Sequence, residues 1–302
     1  RRLLAGESGV VLIEEFSTEK LRSNIAAMVR GFEPERYLSR KETEIYGRVT
    51  HFSYAAAVEA LSMAGLGGLL KEDVPHADTL RGDQAEEQAG VDRTRIGCLM
   101  STGMGSVDIF EQQTEKSRVR GPRAVSPFFI PGVMPNGSAA LISMRYGLMG
   151  PSYSLNSACA TGTHSIATSA LLIEAGEAEI MVAGGAEAAT RINTVAGFGN
   201  ARALTKDFEG DPARASRPFD KDRRGFVMGE GAGMLVLESE EHARARGAQI
   251  LAYVAGFGMT TDGQHLTRPH DDGLGVRLAA ERALSLAGIE PSDVGYINPH
   301  AT

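Results

Sequence analysis

After its opening glutamate, Glu179-Ile180-Met181-Val182-Ala183-Gly184-Gly185 has no polar side chain. A strand wetted on one face alternates apolar and polar residues. A strand apolar on both faces must be covered on both sides, which favours a largely parallel sheet held between helices. Gly233-Met234-Leu235-Val236-Leu237-Glu238 and Ile250-Leu251-Ala252-Tyr253-Val254-Ala255-Gly256 follow the same pattern, and Arg95-Ile96-Gly97-Cys98-Leu99-Met100 is a short apolar strand. Val294 to Asn298 adds another, and Pro151-Ser152-Tyr153-Ser154-Leu155 alternates as a strand does. The expected class is therefore α/β. Thr205 to Arg224 is polar and turn-rich, which predicts a long surface excursion.

One stretch recurs. Ala60-Leu61-Ser62-Met63-Ala64-Gly65-Leu66 returns as Ala283-Leu284-Ser285-Leu286-Ala287-Gly288-Ile289. Each copy closes a helical run with glycine near the C-cap and leads on to a strand, as a duplicated α/β unit would. The first copy is followed by a charge-rich insertion, Gly67 to Gly90.

Chemistry is announced at Asn156-Ser157-Ala158-Cys159-Ala160-Thr161-Gly162. The residues after it, Thr163 to Ala175, carry Ile166, Ala170 and Ile173 at helical spacing. A thiol at that hinge faces the unpaired N–H groups and positive end of a helix, which favour an anion and hence a nucleophile able to take an acyl group. Small neighbours let a substrate approach closely. The other thiol, Cys98, lies within an apolar strand and is read as core. A second chemical position closes the chain, where His300 directly follows a strand, the place at which α/β folds put functional groups.

Composition excludes several classes. The formal charge of −7 is the wrong sign for general nucleic-acid binding. No apolar run reaches membrane-spanning length and no secretory leader is read. Two cysteines without metal spacing predict no metal site and a reducing compartment, with a disulfide left open. A cytoplasmic location is expected, an organellar stroma or matrix being the alternative.

The Ser157–Gly162 motif and Val182-Ala183-Gly184-Gly185-Ala186-Glu187 closely resemble β-ketoacyl-(acyl carrier protein) synthases of the elongating, Cys-His-His type. So do Gly197-Phe198-Gly199-Asn200-Ala201-Arg202-Ala203-Leu204 and Ser216-Arg217-Pro218-Phe219-Asp220-Lys221-Asp222-Arg223. So do Gly225-Phe226-Val227-Met228-Gly229-Glu230-Gly231-Ala232-Gly233 and Asn298-Pro299-His300-Ala301-Thr302. The resemblance runs in register over essentially the whole chain. It implies a thiolase-like fold of two duplicated α/β halves, layered helix–sheet–helix–sheet–helix. The first half would occupy residues 1–247, and the second would begin at 248–302.

The resemblance also implies roles. Cys159 would accept the growing acyl chain, and His300 would hold the malonyl thioester oxygen during decarboxylation. The enolate would then attack the acyl-cysteine in a Claisen condensation of fatty acid biosynthesis. Met104 and Phe198 fall where the family lines its acyl site, and Thr302 where it meets the phosphopantetheine arm. That arm belongs to the carrier protein, so no resident cofactor is expected. Arg40, Lys41, Arg123 and Arg202 match positions that dock an acidic acyl carrier protein, and the family is typically homodimeric.

Two positions depart from the family pattern: Pro299 stands where alanine is usual, and Arg224 where aspartate is. The resemblance further implies a chain cut at both ends. A first strand, a second catalytic histidine and a Gly-Phe-Gly loop would lie outside these residues, leaving some apolar faces uncovered. A polyketide-type ketosynthase and a non-catalytic module that binds the carrier or dimerises remain alternatives. Thiolases use a second cysteine as base, and Cys98 sits in the wrong motif for that.

Overall fold

The structure, a computed structural model, describes residues 2, 4–81, 91–206 and 210–302. Parts of two sequence readings, residues 82–90 of the charged insertion and 207–209 of the excursion, lie outside the described residues. Two short antiparallel strands come first, β1 (Val11–Leu12) and β2 (Ile25–Ala26). Helices α1 (Arg40–Ile45), α2 (Arg48–Met63) and α3 (Ala77–Arg81) precede strand β3 (Ile96–Ser101). Then α4 (Val107–Arg120), α5 (Phe129–Val133) and α6 (Gly137–Tyr146) lead to β4 (Ser152–Tyr153). Helix α7 (Thr161–Glu174) leads to β5 (Ile180–Glu187), and α8 (Ile192–Asn200) to β6 (Gly231–Glu238). Helices α9 (Glu240–Ala245) and α10 (Leu274–Ala287) follow.

The main sheet has four strands in the order β4-β3-β5-β6. β3 runs parallel to β4 and β5, in a register that sets Ile96 beside Ile180 and Ser101 beside Gly185, while β6 is antiparallel to β5. Alternation along the strands sorts the core. Ile96, Cys98, Met100, Ile180 and Val182 join Tyr54, Leu61, Ile142 and Tyr146 of α2 and α6 on one face. Leu99 and Met181 point the other way, toward Leu172 and Ile173 of α7. A helix–sheet–helix sandwich results, and its most apolar strands are the ones covered on both sides. A second cluster, Ile13, Ala26, Ala189, Val195, Leu204 and Met228, anchors the β1–β2 pair and α8 beside it.

Charge pairs lock the helices. Glu42 of α1 pairs with Arg145 of α6, both side chains being largely buried. Arg48 bonds the almost wholly buried Glu230 at 3.1 Å. Helix α4 supplies caps to two neighbours. Asp108 Oδ2 accepts from the Arg48 backbone N–H at 2.8 Å, serving α2, whose own N-cap is Gly47. Glu111 accepts from the Arg191 guanidinium at 3.1 Å and from Asn193 N at 3.4 Å, at the start of α8. Carboxylates at helix N-termini satisfy orphan donors and oppose the helix dipole.

Several strand readings need correction. Pro151 to Leu155 contributes two residues of ladder, Ser152 and Tyr153. β6 is fully covered on neither face: Met234 and Val236 pack on the main core, Leu237 on the α7 side, and Leu235 is 48% exposed. It is an edge strand, and α7 reaches only part of its outer face. The runs 250–256 and 294–298 enter no ladder among the described residues. Residues near Gly256 and Gly258 lie against α10 instead, so closely that a Cβ on Gly258 would sit 2.0 Å from the Ala279 carbonyl oxygen. Leu251, Tyr253, Tyr296 and Ile297 are exposed. The charge-rich insertion also differs from a plain surface loop, since Leu69, Leu70, Val74, Ala77 and Leu80 are buried in the main core.

The sequence echo survives in detail. Gly65 and Gly288 both take left-handed backbone, with φ of 74° and 67°. In each copy the residue after the glycine donates to the carbonyl five back, Leu66 to Leu61 at 2.8 Å and Ile289 to Leu284 at 3.2 Å. This is the same helix-ending motif twice.

Candidate active site

Parallel strands share a carboxyl edge, and the loops leaving β3, β4 and β5 all open there. After β3 comes Thr102-Gly103-Met104. After β4 comes Asn156 to Cys159. β5 ends on Glu187 and passes to α8, which carries Phe198.

The turn that carries Cys159 is a strained one. Ala158 has φ of 51°, the left-handed region that a side chain with Cβ seldom adopts. Such a residue costs about 1–3 kcal/mol and persists where its surroundings enforce it. Here Thr161 does so, its Oγ1 accepting from Ser157 N at 2.9 Å and donating to the Ala158 carbonyl at 2.7 Å. Ser157 Oγ also bonds His164 Nδ1 at 2.7 Å. Ser165 Oγ donates to Ser101 Oγ at 2.7 Å, and Ser101 Oγ accepts from Leu155 N at 3.0 Å. The close approach of Gly162 to Gly185 seats the start of α7 on β5; a Cβ on Gly185 would lie 3.0 Å from Gly162 Cα. The 3-10 turn Ala158–Ala160 then presents Cys159, exposed, immediately before α7.

Both cysteines are free thiols. Cys98 is fully buried, and burial pushes its thiol up to about 12. It stays protonated and out of reach, as the core reading requires.

Glu187 is the largest feature that sequence reading missed here. It accepts from Gly103 N at 3.1 Å and Thr102 Oγ1 at 3.2 Å. Burial raises its carboxyl above the ordinary range, and these donors pull the other way. Its signal was present as a lone acid closing a buried apolar run. His164 and Thr161 were missed as well, because their spacing from Ser157 matches ordinary helix surface.

The structure gathers some predicted residues and leaves others apart. Met104 is half exposed on the turn that Asn156 Nδ2 holds by its bonds to the carbonyls of Thr102 (3.2 Å) and Gly103 (2.7 Å). Phe198 packs edge-on against Phe226 at 5.3 Å, within the cluster beneath α8. His300 and Thr302 lie exposed on the final extended run, and no hydrogen bond joins His300 to Cys159 or to any other described residue. Among the basic residues, Lys41 reaches the Phe128 ring at 5.7 Å, joining α1 to the loop that also carries Arg123. A capping box between Ser39 and Glu42 fixes α1 and leaves Arg40 and Lys41 facing solvent. Arg202 is exposed beyond the end of α8, without a hydrogen bond to the others.

An exposed cysteine on a strained turn between the parallel strand β4 and helix α7, with small residues around it, is the arrangement that the sequence resemblance implies for an acyl-transfer class of α/β protein. The chain belongs to the β-ketoacyl synthase family: the Beta-ketoacyl synthase N-terminal domain matches residues 1–243, and the C-terminal domain residues 251–302. It is 42% identical over 302 residues to 3-oxoacyl-[acyl-carrier-protein] synthase 2 of Vibrio cholerae, covering all of this chain and 68% of that protein. A β-ketoacyl synthase from Burkholderia phymatum superposes with a TM-score of 0.82 at 30% identity, over 99% of this chain and 68% of its own. A type II PKS ketosynthase, solved in complex with its acyl-carrier protein, gives 0.79 at 25% identity over 96% of this chain and 65% of its own. The thiolase-like α/β fold expected from sequence is thus the fold of this chain. No described helix is long and apolar enough to cross a membrane.

Proposed function

We propose that the chain carries out the acyl-transfer chemistry of a 3-oxoacyl-(acyl carrier protein) synthase in fatty acid biosynthesis. Cys159 attacks the carbonyl of an acyl-carrier thioester, and the carrier thiol leaves with a proton, so the acyl chain now rests on sulfur. A malonyl-carrier thioester then loses carbon dioxide. The resulting enolate attacks the acyl-cysteine, forming the carbon–carbon bond and releasing the Cys159 sulfur. His300 is the donor that steadies the enolate oxygen. The Cys159 backbone N–H faces the tetrahedral oxyanion, Met104 and Phe198 flank the chain, and Thr302 meets the phosphopantetheine arm that the carrier brings. The supporting observation is the exposure of Cys159 on a turn that the strained Ala158 begins, while Cys98 is sealed in the core.

The experiment is intact-mass analysis after incubation with an acyl-carrier thioester. One acyl adduct at Cys159 is expected, followed by ketoacyl product when malonyl-carrier is added. An unmodified chain would sink the reading. An adduct that never yields ketoacyl product would favour the non-catalytic alternative. The polyketide-type alternative has weaker support: the sequence relatives at 40–42% identity are 3-oxoacyl-[acyl-carrier-protein] synthases, while the ketosynthase structures match at 32% and 25%.

The carrier protein docks on the face formed by Arg40, Lys41 and Arg123, with Arg202 contacting it from just beyond α8. A local basic patch is needed because the chain as a whole carries −7. Reversing Lys41 and Arg123 together to glutamate raises the carrier Kd about tenfold at low salt, and the difference shrinks as salt screens it. A salt-independent Kd, unchanged by the reversal, would move the docking face elsewhere. A homodimer forms through β4, whose outer side pairs with no strand among the described residues. Light scattering giving the monomer mass at micromolar concentration would remove that proposal. Free thiols suit the cytoplasm, or an organellar stroma or matrix.

A further inference from the structure

We propose that Glu187 is the positioning residue that fixes the Thr102-Gly103-Met104 turn against the nucleophile and thereby sets which acyl chains are accepted. The inference rests on the acyl-transfer reading above, with Met104 beside the bound chain. Met104 belongs to none of the buried apolar clusters, so packing does not hold it. Its backbone does. Donors from Thr102 and Gly103 converge on the Glu187 carboxylate, which has lone pairs enough for both. From the other side, Asn156 holds the carbonyls of Thr102 and Gly103. Gly103 fills the space between: a Cβ there would lie 2.9 Å from Glu187 Oε2 and 3.4 Å from the Ala158 carbonyl oxygen. The turn is therefore clamped between the end of β5 and the strained residue next to Cys159, and Met104 follows that clamp.

Glutamine at this position has the same shape but one acceptor oxygen, and its amide N–H groups would face N–H donors. The test uses Glu187→Gln in the full chain, with butanoyl- and dodecanoyl-carrier thioesters as donors and iodoacetamide as the probe of Cys159 itself. The ratio of loading kcat/KM between the two donors should shift about tenfold, mainly through KM, the size expected for loss of a hydrogen bond to a charged group. Iodoacetamide labelling of Cys159 should stay within about threefold of wild type. Gly103→Ala presses on the same turn without altering the carboxylate, and should shift the ratio comparably, so the idea survives a Glu187→Gln chain that does not fold. A folded Glu187→Gln or Gly103→Ala chain with the wild-type ratio overturns the inference alone. A wild type that loads neither donor overturns the acyl-transfer reading and this inference with it.

Discussion

Cys159→Ala should fold normally and lose acyl loading by about a thousandfold or more, the scale on which removing a covalent nucleophile acts. The two halves of that result have separate causes. The side chain is exposed and belongs to no apolar cluster, so its removal leaves no cavity and stability should change by less than about 0.5 kcal/mol. No other sulfur can take its place. Cys98 is buried in β3 with its thiol held protonated, so it neither attacks a thioester nor meets one. Iodoacetamide makes the distinction visible without any substrate. The native wild type should label at Cys159 alone, the native variant not at all, and the unfolded variant at Cys98. Condensation that persists in the variant would remove the covalent mechanism altogether.

The strands easiest to read, Ile96–Ser101 and Ile180–Glu187, are those whose apolar runs are buried on both faces, because there the local pattern and the tertiary environment agree. The runs 250–256 and 294–298 have the same composition, yet a ladder needs a partner as well as a propensity. The Ser157–Gly162 motif singled out Cys159, but no glycine marks the left-handed turn at Ala158. The clamp around it joins residues far apart in the chain: Glu187 is 84 residues from Gly103. Side chains spaced this widely carry no periodic signal, and only the register of β3 against β5 brings them to one edge.

The pairing of β5 with β6 is vulnerable at one small residue. Gly184 lies within β5 beside Met234 of β6, and a Cβ on it would sit 2.1 Å from the Gly233 carbonyl oxygen and 3.0 Å from Met234 Cα. Both are backbone atoms of a paired strand, so neither can swing aside as a flexible side chain would. Gly184→Ala must push β6 away from β5 or twist β5 itself. The expected cost is about 3 kcal/mol, the upper end of ordinary overpacking, and it should lower the urea midpoint by roughly 1 M or more. Gly233 provides the internal comparison. It pairs with the next residue of the same strand, but a Cβ there meets nothing within 4 Å, so Gly233→Ala should leave the midpoint unchanged or raise it slightly. The two substitutions are chemically identical and adjacent in the sheet, which cancels most unfolded-state effects from their difference. Equal midpoints would mean that β5 and β6 are not packed as closely as described. Because the neighbouring Gly185 also receives Gly162 at the start of α7, a displaced β5 should slow acyl loading of Cys159 as well. The Gly233 variant should load at the wild-type rate.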